Sequence, residues 1–184
     1  MLGRAPEVER PRRLLAQDES RLGLHLPGGR RLTLPGIKPL KSMAPLYQYY
    51  WLYAAVEPTT GDACWLELPR LDSACFQVFL EHFSRQYADR LNLLVLDHAP
   101  AHSAKTLVIP ANVVLIYLPP YCPELNPVER LWQDLKGRLT GLAATVRCSL
   151  SAMREAVEGF IRAYSPQQLA SLTGYPYLGN IDLH

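Results

Sequence analysis

The chain has 184 residues, a formal net charge of +2 and 48% apolar residues, a composition that indicates one globular domain and excludes a disordered protein. No apolar stretch reaches the roughly 18–20 residues that span a bilayer, and the basic N-terminus lacks the apolar core of a signal peptide. The four cysteines form no CxxC pair, so we expect reduced thiols in a soluble cytoplasmic protein.

The first third of the chain predicts a short strand and then a hairpin. Residues 14–17 form an apolar run that stops at an acidic pair, which favours a strand ending there. Residues 20–45 are rich in proline, glycine and basic residues and are expected to form a loop. The stretches 47–56 and 63–68 flank a turn, which is typical of two antiparallel strands.

The middle of the chain alternates helix and strand patterns. Apolar positions at steps of three and four predict a helix over 75–87, whose buried face is expected to contain Cys75, Val78, Phe79, His82 and Phe83. Residues 91–96 and 113–118 are almost wholly apolar, as in strands that are covered on both faces. A short helix is expected between them, near 103–107, so the two strands predict a parallel βαβ unit.

Two further helices complete the pattern. Asn126 can cap a helix that has Pro127 at its first position and a buried stripe formed by Val128, Leu131, Trp132, Leu135 and Leu139. A last helix is expected over 151–164. Hairpin strands followed by parallel strands and helices indicate the α/β class, with a mixed sheet covered by helices.

Three acidic residues stand where such a sheet places functional side chains. Asp97 follows strand 91–96 at its carboxyl end, Asp18 closes the first apolar run, and Glu129 lies on the first turn of a helix. Carboxylates brought together repel unless a cation lies between them, and oxygen ligands select Mg²⁺ or Mn²⁺. Two such ions can activate a water or a sugar hydroxyl, so the pattern indicates metal-assisted phosphoryl transfer.

Each of these acids also has a purely structural explanation. Asp18 and Asp97 suit turn or cap positions, and Glu129 occupies the capping-box position of a helix capped by Asn126. Glu124, five residues before Glu129, is a rival for the third carboxylate. Only the three acids taken together favour a catalytic function.

Two histidines close to Asp97 have a spacing that also suits a zinc site. His98 and His102 are four residues apart, but Pro100 between them disfavours a regular helix that would hold both rings. The sequence contains no HExxH motif, so zinc is disfavoured. His102 is interpreted as a polar neighbour of Asp97, or as a residue at the start of a helix.

A basic segment offers a surface for nucleic acid. No acidic residue lies between Glu19 and Glu57, and positive charge on a loop can hold a phosphate backbone, although a solvated loop explains it equally well. Lys136 also suits the dipole of its helix. The candidate DNA-binding residues are Arg21, Arg30, Arg31, Lys38, Lys41 and Lys136.

Two stretches of the sequence resemble the catalytic core of DDE transposases. They are LLVLDHAPAHSAK (93–105) and LPPYCPELNPVERLWQDLK (118–136). AQDESRLGL (16–24) is similar to the segment that carries the first catalytic aspartate of this family. The resemblance is strongest to the bacterial insertion-sequence branch of the Tc/mariner superfamily, the six-thirty group. It implies a ribonuclease H-like fold, with a mixed five-stranded sheet and helices on both faces.

The resemblance also implies a triad and a reaction. It assigns catalysis and metal binding to Asp18, Asp97 and Glu129, with two Mg²⁺ (or Mn²⁺) ions. Water would cleave double-stranded DNA at transposon ends, and the freed 3′-hydroxyl would attack target DNA at TA. We therefore expect a transposase catalytic domain that acts as a homodimer on DNA. The alternatives are an insertion-sequence remnant that only binds DNA weakly, and a nuclease or resolvase of the same fold.

The resemblance implies a missing recognition region as well. Full-length relatives bind terminal inverted repeats through a helix-turn-helix region, and none precedes Asp18. We therefore expect a single catalytic domain over 1–184, with 1–13 as a short leader and 20–45 as a basic loop. It would be the second frame of a split gene, a truncated copy or a fragment, served by a separate helix-turn-helix subunit or a fused upstream frame. We expect it in the bacterial cytoplasm, associated with the nucleoid.

Overall fold

The centre of the structure is a mixed sheet of five strands. This computed structural model describes residues 11–24, 48–120, 122–143, 146 and 149–175. The strands are β1 (Arg12–Gly23), β2 (Tyr49–Val56), β3 (Ala63–Leu68), β4 (Leu91–Leu96) and β5 (Val113–Tyr117), in the spatial order β3-β2-β1-β4-β5. β2 runs antiparallel to β1 and β3, whereas β4 runs parallel to β1 and β5. The α/β class and the mixed sheet predicted from the sequence are confirmed.

Helices cover both faces of the sheet. They are α1 (Ser73–Gln86), α2 (Val128–Thr140), α3 (Leu150–Ala163) and α4 (Pro166–Thr173), with a 3-10 turn at Pro123–Leu125. Neighbouring residues of a strand point to opposite faces, so β1 contributes to two cores. The core under α1 includes Leu15, Tyr53, Phe76, Phe79 and Phe83. The core under α2, α3 and α4 includes Ala16, Leu52, Leu131, Trp132, Met153 and Leu169.

The helices match the sequence pattern to different degrees. All five residues of the stripe predicted for α2 are buried, and α3 lies within one residue of its expected bounds. α4 was not predicted, although Ser165 and Gln168 form a capping box at its start. None of the helices in the described ranges combines the length and apolarity that a membrane crossing requires.

β1 is longer than the sequence predicts. It does not end near residue 17 but continues to Gly23, so Asp18 lies inside the strand. The parallel pairing with β4 ends at Ala16 and Val95, while the antiparallel pairing with β2 continues to the end of β1. Residues 17–23 of β1 therefore form an overhang beyond β4. Continuing the parallel register by two residues places Asp18 level with Asp97.

The buried face predicted for α1 is wrong in part. Phe76, Phe79, Leu80 and Phe83 are fully buried, whereas Val78 is 48% exposed. Rings bury more apolar area than Val78 can, so the helix is rotated to pack its phenylalanines.

Two predictions around β5 are also wrong. Residues 103–107 form bends and turns rather than a helix. The segment that follows is fastened to α1 by Gln77, whose side chain accepts from the Val108 N–H (2.8 Å) and donates to the Val108 carbonyl (3.1 Å). β5 is an edge strand, and it is not buried on both faces: Val113 is buried in the core under α1, where Leu107 also packs, whereas Val114 and Ile116 on the opposite face are exposed.

Candidate active site

A cavity of about 380 Å³ opens at the carboxyl end of β4, and the three acids singled out from the sequence all line it. Asp18 comes from the overhang of β1, Asp97 directly follows β4, and Glu129 lies on the first turn of α2. The other lining residues are His98, Ala99, Leu118, Pro119, Pro120, Cys122 and Asn126. Three distant parts of the sequence thus meet at one opening.

The start of α2 is fastened to β1 beside Asp18. The buried side chain of Asn126 donates from Nδ2 to the carbonyl of Gln17 (2.8 Å), and its Oδ1 accepts from the N–H of Val128 (3.2 Å). From inside α2, the ring Nε1 of Trp132 donates to Oδ2 of Asp18 (2.9 Å). These bonds hold the first turn of α2, and with it Glu129, next to the overhang.

The capping box expected at Glu129 does not form. Pro127, which precedes Val128, already has helical backbone angles (φ −66°, ψ −20°). Oδ1 of Asn126 accepts from the N–H of Val128, so Asn126 caps this end of the helix as predicted, while no hydrogen bond from the Asn126 N–H to the Glu129 carboxylate is found in the described part of the chain. Glu129 lines the cavity, and among the described residues we find no hydrogen bond to its carboxylate.

Negative charge is concentrated on the α2 side of the cavity. Burial, together with the charges of Glu19 and Glu129, raises the pKa of Asp18 to about 8, although the hydrogen bonds from the Glu19 N–H and from Trp132 act in the opposite direction. A cation would relieve this repulsion, and carboxylate oxygens are the ligands that Mg²⁺ and Mn²⁺ prefer. The chemistry of the donor set therefore fits a divalent metal.

The three acids line the cavity at separate places and do not form a tight cluster. Within the ranges that the structure describes, no three residues of the types His, Cys, Asp and Glu are close enough together to hold an ion.

Asp97 also belongs to a second group of polar residues, with His102 and Glu19, which lies on the α1 side of the sheet. His102, whose side chain is 1% exposed, donates from Nδ1 to Oδ1 of Asp97 (2.8 Å) and from Nε2 to Oε1 of Glu19 (2.9 Å). Burial alone would lower the pKa of His102, but the two carboxylates outweigh it and raise the pKa to about 10. The hydrogen bond from His102 also lowers the pKa of Asp97.

The sequence indicated only part of this group. The interpretation of His102 as a neighbour of Asp97 is confirmed, and its alternative role at a helix start is wrong, since no helix begins there. Glu19 was missed. Its signal was its place directly after Asp18, because adjacent residues of a strand point to opposite faces.

The alternatives weighed from the sequence lie elsewhere. Glu124 is exposed on the 3-10 turn and does not line the cavity. His98 stacks on the ring of Tyr117, with ring centroids 4.7 Å apart, and does not pair with His102. No zinc pair is formed by these histidines.

Of the candidate DNA-binding residues, two lie in the described part of the chain. Arg21 is exposed on β1, and its guanidinium lies 4.0 Å from the ring centroid of Tyr49. Lys136 is exposed on α2. Neither lines the cavity. The other four, Arg30, Arg31, Lys38 and Lys41, lie outside the described residues.

Known proteins share parts of this sequence and its fold. A family model described as DDE superfamily endonuclease matches residues 13–149. An uncharacterized protein of Sinorhizobium fredii, y4pE/y4sA, is 38% identical over 87 residues, which are 47% of this chain and 64% of that protein.

Solved structures of the Mos1 transposase are similar to this chain at 16% identity. The paired-end complex with a left transposon end has a TM-score of 0.63, and the alignment covers 88% of this chain and 51% of that one. The strand transfer complex has a TM-score of 0.65, with 88% and 50% covered. A paired-end complex with Mn has a TM-score of 0.63, with 88% and 52% covered. The chain thus spans about half the length of these transposases, and the expected ribonuclease H-like fold is confirmed.

Proposed function

The chain belongs to the DDE superfamily endonucleases, and on that premise we propose that it is a transposase catalytic domain, which cleaves DNA at transposon ends and transfers the freed strand into target DNA. The observation that carries this proposal is the cavity that Asp18, Asp97 and Glu129 line together. The fold shared with Mos1 supports it, since that transposase was solved with a transposon end and in a strand transfer complex.

Asp18, Asp97 and Glu129 would together hold two divalent ions, Mg²⁺ or Mn²⁺. When bound, such ions activate a water or a 3′-hydroxyl and stabilise the leaving oxygen of a phosphodiester. Oδ2 of Asp18 accepts from Trp132, and Oδ1 of Asp97 accepts from His102 and from the N–H of Ala99, which leaves Oδ2 of Asp97 available for a ligand. Glu129 contributes a carboxylate that makes no bond to the described residues.

The remaining cavity residues would position the substrate. Leu118, Pro119 and Pro120 give the cavity an apolar side, which limits the water that reaches the reacting phosphate. Asn126 holds the start of α2 against β1 and so sets the separation of Glu129 from Asp18.

Double-stranded DNA is the proposed substrate, and the active form is a homodimer on DNA. Recognition of the inverted repeats would come from a helix-turn-helix region on a separate subunit or in a fused upstream frame. Arg21, Lys136 and the four basic residues of the segment 30–41 would contact the phosphate backbone, which makes binding weaken as salt rises. Gel-shift titrations at several salt concentrations and light scattering of the complex with DNA test these points.

A nicking assay with Mn²⁺ and supercoiled plasmid tests the proposed activity. We expect the wild-type chain to nick the plasmid and Asp97→Asn to abolish nicking. Glu124→Gln is the matched control, because it neutralises an acid that lies outside the cavity and should leave the rate unchanged. The proposal is refuted if Asp97→Asn nicks at the wild-type rate, or if the wild-type chain binds Mn²⁺ and still cuts no DNA.

A further inference from the structure

His102 connects the two strands that carry the proposed metal ligands. Its ring lies between Glu19, which follows Asp18 on β1, and Asp97, which follows β4. An ionised carboxylate can accept hydrogen bonds but cannot donate them. Both ring nitrogens of His102 must therefore donate for both contacts to form. The ring is thus a bridge with one bond to each strand.

This bridge stands where the backbone pairing is missing. The last register pair between β1 and β4 joins Ala16 and Val95, and beyond it the overhang of β1 pairs only with β2. The distance between the overhang and the end of β4 is therefore not set by the sheet ladder. The bonds of His102 to Glu19 and Asp97 supply a fixed connection at this level.

The ring itself is held from several sides. The Tyr117 hydroxyl donates to the carbonyl of His102 (2.8 Å), and the ring of Phe76 packs against the imidazole with centroids 4.4 Å apart. Behind the bridge, Gln17 donates from Nε2 to Oε1 of Glu19 (2.7 Å). A ring with these contacts has one orientation, and it transmits that orientation to Asp97.

Of the residues that the bridge joins, Asp97 is the one that lines the cavity. His102 is buried and does not line the cavity, while the Asp97 side chain is 55% exposed. Oδ1 of Asp97 accepts both from Nδ1 of His102 and from the N–H of Ala99 (2.9 Å). With Oδ1 fixed from two directions, the carboxylate cannot rotate, and Oδ2 is the oxygen left for a ligand.

We propose that His102, backed by Glu19, is a positioning residue that holds Asp97 in its ligand-binding orientation and sets the separation of Asp97 from Asp18. This inference rests on the proposed function, since it concerns the same metal site. Outer partners of metal ligands commonly contribute about 10–100-fold to metal affinity or activity.

Two substitutions of His102 each remove one of its two hydrogen bonds and keep the other. The amide nitrogen of an asparagine falls near the position of Nδ1, so His102→Asn keeps a donor towards Asp97 and loses the bond to Glu19. The amide nitrogen of a glutamine falls near Nε2, so His102→Gln keeps the bond to Glu19 and loses the one to Asp97. Mn²⁺ affinity of the full chain, measured by calorimetry, compares them directly, with thermal unfolding recorded for each variant.

The expected result is a split between the two variants. His102→Gln should weaken Mn²⁺ binding by about 10–100-fold. His102→Asn should bind Mn²⁺ more tightly than His102→Gln does, even if the melting temperature of His102→Asn is equal to or lower than that of His102→Gln. Equal affinities in both variants and wild type overturn the inference, and so do losses that simply follow the melting temperatures. Asp97→Asn separates the two proposals: if it too binds Mn²⁺ like wild type, the proposed metal site itself is wrong.

A measurement on the unchanged ring covers the case in which a variant does not fold. In the wild-type chain, both ring N–H protons of His102 should be protected from exchange in NMR spectra. Adding Mg²⁺ should shift the Nδ1–H resonance more than the Nε2–H resonance, because only Nδ1 faces Asp97. An unchanged Nδ1–H resonance at saturating Mg²⁺ overturns the inference.

Discussion

Asp18 is expected to destabilise the metal-free protein, and Asp18→Asn should therefore raise its stability. The carboxylate is partly buried beside two other negative charges, and its pKa rises from 3.8 to about 8. Asparagine has nearly the same shape, carries no charge and can still accept the hydrogen bond of Trp132 with its amide oxygen. The substitution removes the repulsion and keeps the packing.

The size of the effect follows from the shift. One pKa unit corresponds to about 1.4 kcal/mol. A shift from 3.8 to about 8 therefore sets an upper limit of roughly 6 kcal/mol on the free-energy cost of ionising Asp18 in the folded protein. Effective dielectric screening and the altered hydrogen bonding of the amide reduce this, and we expect a gain of about 1–3 kcal/mol at pH 8. Because the pKa of Asp18 is higher in the folded than in the unfolded state, its protonated carboxyl group contributes to stability below pH 4. That contribution to the free energy of unfolding is lost as the pH rises through 8.

Urea unfolding in EDTA, followed by circular dichroism at pH 5 and pH 8, measures this gain. Asp97→Asn is the contrasting control, since Asp97 is stabilised by His102 and its neutralisation should bring no gain in stability. The reasoning fails if Asp18→Asn unfolds at lower urea than wild type, or if the two variants gain equally. Added Mg²⁺ should stabilise the wild-type chain and leave Asp18→Asn almost unchanged.

Three further substitutions test the framework around the site. Arg13→Met leaves the buried carboxylate of Glu57 without its ion pair and should cost about 3 kcal/mol in urea unfolding, with unchanged Mn²⁺ affinity in calorimetry. Asn126→Ala breaks the bond to Gln17 and should cost about 1–3 kcal/mol and also weaken Mn²⁺ binding; an unaltered affinity contradicts the proposed role of this bond. Asp134→Asn weakens the hydrogen bonds that lower the Asp134 pKa and should cost about 1 kcal/mol at pH 7. That cost should shrink as the pH falls below about 4 and vanish once the pH is below the lowered pKa of Asp134, so a cost independent of pH speaks against this reasoning.

The sequence predicts the parts of the fold in which one residue pattern dominates. The continuous apolar run of β4 and the stripe of α2 leave no competing structure, and both are found as predicted. The segment 103–107 has a weaker pattern, and its neighbourhood is fixed by the side chain of Gln77, more than twenty residues away. Contacts of that kind override local propensity and cannot be derived from spacing.

The site shows the same division. The order of strands and acids singles out Asp18, Asp97 and Glu129, and the resemblance to a known family implies that the three act together as a triad. The hydrogen bond from His102 to Glu19 joins residues 83 positions apart in the chain. It depends on how far β1 extends past β4, and this length is set by pairing with β2 rather than by any local motif.

The two consecutive acids of β1 make this strand sensitive to changes in length. Asp18 lines the cavity on one face of the sheet, and Glu19 accepts a hydrogen bond from the imidazole of His102 on the other face. The two side chains lie on opposite faces because neighbouring residues of a strand alternate. Inserting or deleting a single residue between Ala16 and Asp18 would exchange the two carboxylates and leave each on the wrong side. Homologous chains should therefore vary in length before β1 or after it, and keep the number of residues between its pairing with β4 and its two acids.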